Sequence, residues 1–77
     1  MIINVRGYAS LKQFTAHLPT EGTLTVPDNA TVASVLEKLQ VPSDFKVITM
    51  INGRHCTLNH ILRSGDKLVF FPPLEGG

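Results

Sequence analysis

A single cysteine, Cys56, among 77 residues leaves no internal disulfide to staple the chain, and nothing in it points to an oxidising compartment. Charge is also scarce. Charged residues make up 17% of the chain and the net charge is +1, a balance that supports neither a nucleic-acid partner nor an anionic membrane surface. No apolar run approaches the roughly 20 residues of a membrane-spanning helix. Met1-Ile2-Ile3-Asn4 lacks the basic leader and long apolar stretch of a secretory signal, so a cytoplasmic location is expected. Spaced ligand motifs are missing too: there is no CxxC, no HxxxH and no paired-cysteine spacing. His17, His55, His60, Cys56 and the acidic residues form no recognisable constellation. Adjacent on a strand, His55 and Cys56 would point to opposite faces, a poor geometry for joint zinc ligation or for a nucleophile-base pair. Neither a metal site nor a stably bound cofactor is expected. Cys56 reads as a structural cysteine, and the chain does not look like an enzyme in its own right.

What is present describes one small domain, near the lower limit at which a single core suffices, with 43% hydrophobic residues. Ile2 to Arg6 is a short β-branched run, read as a first strand with Ile3 and Val5 inward. Gly7 ends it. Ser10 followed by Gln13 has the form of a capping box, and Leu11, Phe14 and Leu18 recur at helical spacing, so a short helix is expected over 11–18. The other reading of this stretch is an irregular connection whose apolar side chains cover the sheet edge. Thr23 to Val26 alternates like a strand, and Pro27-Asp28-Asn29 is turn chemistry. Thr31 then caps a helix in which Val32, Val35, Leu36 and Leu39 share one face, and Pro42 prevents continuation past Val41. Lys46 to Asn52 is a strand apolar on both faces apart from Thr49, which suggests a central position. Asn52-Gly53 predicts a type I′ turn into a weaker extended stretch over Arg54, His55 and Cys56. Leu58, Ile61 and Leu62 are expected to form a short helical or 3-10 turn that plugs the core. Ser64-Gly65-Asp66 is a turn, and Lys67 to Phe71 is the last strand. These elements add up to an α+β arrangement, a capped helix on one face of a mixed sheet of roughly four to five strands.

After Phe71 the pattern stops. Pro72 and Pro73 remove backbone donors and fix φ, so strand pairing cannot continue. The six residues from Pro72 onward reach roughly 20 Å when extended, far enough to enter another protein's cleft. Gly76 and Gly77 present a bare backbone and an α-carboxylate suited to a narrow site where any Cβ would clash. Frayed termini and linker remnants also end in glycine. Their place directly after a strand and a Pro-Pro stop favours a reactive Gly77 carboxylate instead. If Leu68 and Phe70 enter the core, Val69 and Phe71 point outward. Beside Tyr8 or Ile51 they would form an apolar patch of the kind that marks a partner surface.

The closing residues Leu62-Arg63-Ser64-Gly65-Asp66-Lys67-Leu68-Val69-Phe70-Phe71-Pro72-Pro73-Leu74-Glu75-Gly76-Gly77 resemble the C-terminus of the MoaD/ThiS sulfur carriers. Thr31-Val32-Ala33-Ser34-Val35-Leu36-Glu37-Lys38-Leu39 is similar to that family's helix start, and Asn52 after a hydrophobic strand agrees as well. The resemblance covers essentially the whole chain and implies a ubiquitin-like β-grasp domain over 1–71 with a flexible Gly-Gly tail over 72–77. It implies further that a MoeB/ThiF-like adenylyltransferase, using ATP and Mg, activates the Gly77 carboxylate. A thiocarboxylate then forms on Gly77, with Gly76 giving clearance, while Tyr8, Val69, Phe71, Pro72, Pro73 and Leu74 serve docking and direction. The Pro-Pro pair leans toward the small subunit of molybdopterin synthase, whose partner is a MoaE-like large subunit. A thiamine-pathway carrier serving a thiazole synthase, a ubiquitin-like modifier joined to lysine, and a plain β-grasp binding module remain as alternatives.

Overall fold

The computed structural model describes residues 1–19 and 22–73. Five strands form one mixed sheet: β1 (Ile2–Gly7), β2 (Thr23–Thr25), β3 (Ile48–Ile51), β4 (Arg54–His55) and β5 (Lys67–Phe71). A single α-helix, α1 (Val32–Lys38), lies between β2 and β3 in sequence. The spatial order is β2-β1-β5-β3-β4, with β1 and β5 parallel and the other pairs antiparallel. The first and last strands are therefore neighbours in the interior of the sheet. β3 is paired on both sides, but the middle place belongs to β5.

Alternation along the strands decides which face is buried. Ile3, Val5, Leu68, Phe70, Thr49 and Ile51 face α1, while Ile2, Asn4, Arg6, Lys67, Val69, Phe71, Ile48 and Met50 face the other way. Val32, Val35, Leu36 and Leu39 from the helix join Ile3, Val5, Leu68 and Phe70 in one core. Phe70 is fully buried and is among the largest side chains there. Thr49 is the one buried polar side chain among the described residues. Its hydroxyl donates to the Cys56 carbonyl at 3.0 Å and accepts from Cys56 Sγ at 3.4 Å, which removes the penalty of burying it unpaired.

α1 is closed at both ends by local chemistry. Thr31 Oγ1 accepts from Ser34 N while Ser34 Oγ accepts from Thr31 N, a reciprocal capping box. The N–H groups of Val32 and Ala33 donate to the carbonyls of His60 and Leu58, so donors that a helix start usually leaves unpaired are satisfied by the loop before β5. At the other end Gln40 adopts φ +65°, Gln40 N donates to Glu37 O and Val41 N donates to Leu36 O. This is a Schellman termination, with glutamine in the left-handed position usually held by glycine. The helix thus ends before Pro42 is reached.

Five expectations are corrected. The stretch after β1 forms a 3-10 helix over Ala9–Phe14 rather than an α-helix over 11–18. Gln13 donates to the Ser10 carbonyl instead of forming a capping box, and no side chain caps the start. Leu58 and Ile61 are exposed, and only Leu62 enters the core, because the loop that carries them docks on the helix start through its backbone. The strand expected over 46–52 is shorter, Ile48–Ile51. Ile51 faces the core and does not join the open face.

The Asn52-Gly53 turn has φ +52° and +85°, the two left-handed residues that a type I′ hairpin requires. Asn52 also ties the hairpin to β5. Its amide donates to Asp66 Oδ1, its carbonyl oxygen accepts from Lys67 N, and its backbone N–H donates to Lys67 O, all between 2.9 and 3.0 Å.

Candidate functional site: the open face and the tail root

The face of the sheet opposite α1 carries no covering element among the described residues. The strand registers set its side chains in rows. Arg6, Val69, Met50 and His55 lie in one row across β1, β5, β3 and β4. In the neighbouring row Ile48 is opposite Phe71, and on the other side Asn4 is opposite Lys67. Ile48, Met50, Val69 and Phe71 are all half-buried, so an apolar strip lies along the middle of the face, with Ile2 exposed on β1. Its upper end is where β5 runs into Pro72 and Pro73. An open groove of about 440 Å³ beside the strip is lined by Asn4, Arg6, Tyr8, Lys67 and Val69, with backbone of Val5 and Leu68 beneath.

Tyr8 reaches this end of the sheet through a tightly constrained bend. Its backbone N–H donates to Phe70 O at 3.0 Å, which extends the β1–β5 pairing by one residue. Gly7 precedes it where the chain passes close under the 3-10 helix. A Cβ on Gly7 would stand 2.4 Å from the Leu11 carbonyl oxygen and 3.1 Å from the Phe70 ring, so glycine is required there. Gly7 N also donates to Thr15 Oγ1. Ala9, next in the chain, has φ +54°, a left-handed conformation that disfavours any residue with a Cβ. The bend holds Tyr8 46% exposed at the end where the tail begins.

The residues expected to meet a partner are therefore brought together as far as they are described: Val69, Phe71, Pro72, Pro73 and Tyr8 share one end of one face. Leu74, Gly76 and Gly77 lie outside the described residues. Sequence reading missed Ile48, Met50, Arg6 and Lys67, which join the site only through strand order and register. Cys56 is half-buried and engaged with Thr49. Among the described residues no group of three or more His, Cys, Asp or Glu side chains is placed to hold a metal ion. No helix among them is long and apolar enough to cross a membrane.

Comparison with known proteins agrees with this architecture. The sequence model of the ThiS family matches residues 5–77. No protein of curated function matches the chain. Among solved structures, the fold is similar to SAMP1 from Haloferax volcanii, with a TM-score of 0.73, 22% identity and 100% of both chains covered. It is similar to a putative molybdopterin converting factor, subunit 1, from Pyrococcus furiosus, with a TM-score of 0.75 and 22% identity over 96% of this chain and 99% of that one. A chain from the complex of subunits 1 and 2 of the molybdopterin-converting factor of Helicobacter pylori matches with a TM-score of 0.58 and 22% identity over 100% of both chains. These likenesses establish the fold as a ubiquitin-like β-grasp.

Proposed function

Because the chain belongs to the ThiS family of small, ubiquitin-like sulfur carriers, we propose that it carries sulfur as a thiocarboxylate on Gly77. A carboxylate is a poor electrophile, so a partner adenylyltransferase of the MoeB/ThiF type activates it. A Gly77 carboxylate oxygen attacks the α-phosphate of ATP, pyrophosphate leaves, and an acyl-adenylate forms, with Mg and ATP held by the partner. The terminal sulfur of a donor persulfide then attacks the carbonyl carbon and AMP departs with the bonding electron pair; a thiol attacks the donor's sulfur in the resulting acyl disulfide, which releases the thiocarboxylate and leaves the thiol oxidised as a disulfide with the donor. The carrier's own residues supply recognition and aim: the apolar strip docks, Pro72 and Pro73 direct the tail, and Gly76 gives clearance. On this reading the chain is a substrate-like carrier and not itself an enzyme.

One observation carries the proposal. The last strand is the middle strand, so the tail leaves from the most firmly held element, at the end of the face where Phe71, Val69 and Tyr8 are grouped. The segment beyond Phe71 then starts from a fixed root. The Pro72-Pro73 pair and the subunit-1 neighbours favour molybdopterin synthesis as the destination, with a MoaE-like large subunit as the second partner; thiazole synthase is the alternative recipient.

The test is ATP–pyrophosphate exchange with the adenylyltransferase of the source organism. The chain ending at Gly77 should support exchange. A version with one residue appended, whose Gly77 carboxyl is locked in an amide, should give none. Exchange by the appended version would remove the proposal.

A further inference from the structure

We propose that the open face of the sheet docks a protein surface whose carboxylates lie at one edge of an apolar centre. This rests on the carrier reading above and assigns the chemistry of the partner's side. The net charge of +1 conceals a segregation that only the fold reveals. The charged and titratable side chains that the strands turn to the open face are Arg6, Lys67 and His55, with no acidic residue among the described positions there. Glu37 lies on the exposed side of α1, while Asp28 and Asp44 lie in the turns before and after that helix. Asp66, at the start of β5, is already committed, since Oδ1 accepts from the Asn52 amide and Oδ2 from Arg63 N. No described carboxylate is within ion-pair distance of Arg6 or Lys67.

The cations are placed where a partner would meet them. Arg6 lies directly across from Val69, and Lys67 is two residues before Val69 on the same side of β5, so both border the apolar strip and the groove beside it. An apolar centre with charge at its edge is the anatomy of a protein–protein interface. Carboxylates facing Arg6 and Lys67 would speed encounter and reject cationic competitors. Nucleic acid would draw on a broad basic surface, and an apolar strip edged on one side by two neighbouring cations gives it little to pair with.

The experiment measures binding and adenylation separately, using the adenylyltransferase of the source organism. The carrier's Kd is read without ATP and its KM with ATP, at ~0.1 M and ~1 M salt, where the screening length falls from about 10 to about 3 Å. Wild-type Kd and KM should rise with salt. Arg6→Glu combined with Lys67→Glu should raise both about tenfold at the lower salt, keep kcat, and lose the salt dependence, as expected for edge charges that govern encounter. Lys12→Glu combined with Lys38→Glu, an equal charge reversal at exposed positions of the 3-10 helix and α1 on the other side of the sheet, serves as the control and should stay near wild type. Adenylation of wild type with the double variant no worse than the control overturns the docking chemistry and leaves the carrier function standing. Salt-sensitive binding lost in the double variant, without adenylation of wild type, does the reverse. Absence of both binding and adenylation overturns both. Double-variant-sensitive binding to single-stranded DNA or to phosphatidylserine vesicles, with enzyme binding unchanged, assigns the face to a polyanion and overturns the proposal.

Discussion

The two faces of β5 have nearly the same composition and opposite fates. Leu68 and Phe70 point at the helix and are 1% and 0% exposed, whereas Val69 and Phe71, one residue along in each case, remain half-uncovered on the other side. Local propensity does not distinguish them, because period-2 alternation assigns faces only relative to one another. What separates them is that α1 covers one side of the sheet and the described chain offers nothing for the other. An apolar side chain that the fold leaves uncovered on its central strand is one that stability does not explain, and the docking proposed above would give it a use.

The largest effect expected from this contrast comes from truncating the two phenylalanines in turn. Phe70→Ala should cost about 3–5 kcal/mol of stability through lost burial and the cavity left behind, read as a fall in Tm. Phe71→Ala should cost under ~1.5 kcal/mol yet raise the carrier's KM with its activating enzyme about tenfold or more, as loss of an aromatic anchor does. Equal losses of stability with no change in KM would erase the distinction between the faces. A smaller effect is expected at the bend that presents Tyr8. Ala9→Gly removes the steric penalty at φ +54° and should raise stability by ~0.5–1 kcal/mol while leaving the Tyr8 position and KM unchanged. A fall in Tm instead would show that Ala9 is not strained.

Much of the core could be read from the residues alone, for identifiable reasons. Val32, Val35, Leu36 and Leu39 are spaced for one helical face, Thr31 does cap, and all four apolar residues are buried. Asn52-Gly53 forms the turn its left-handed preference requires. The misreadings arose where a short pattern fits two structures. Ser10 and Gln13 have capping-box spacing, but with Tyr8 extended and Ala9 left-handed the chain winds as a 3-10 helix. Leu58 and Ile61 are apolar, yet they sit in a loop whose orientation is fixed by backbone bonds from Val32 and Ala33, which leave no trace in side-chain periodicity. In the run from Ile48 to Ile51 both parities are apolar enough to be buried, and the Thr49 hydroxyl is satisfied inside by the Cys56 carbonyl. For the candidate site, the outward positions of Val69 and Phe71 followed from alternation just before the tail, and of the two neighbours expected for them Tyr8 reaches that end while Ile51 faces the core. Arg6, Lys67, Ile48 and Met50 were not, since only the parallel pairing of β1 with β5 and the register of β3 place them beside it.

The account turns on the end group of the chain, and intact mass spectrometry of the mature protein from its native host addresses it most directly. The prediction is a population ending at Gly77 whose mass exceeds the plain polypeptide by the replacement of one oxygen with sulfur, and which reverts on hydrolysis. Active protein trimmed short of the diglycine or continuing past it would contradict the account, as would a Gly77 found only in amide linkage to lysines of other proteins.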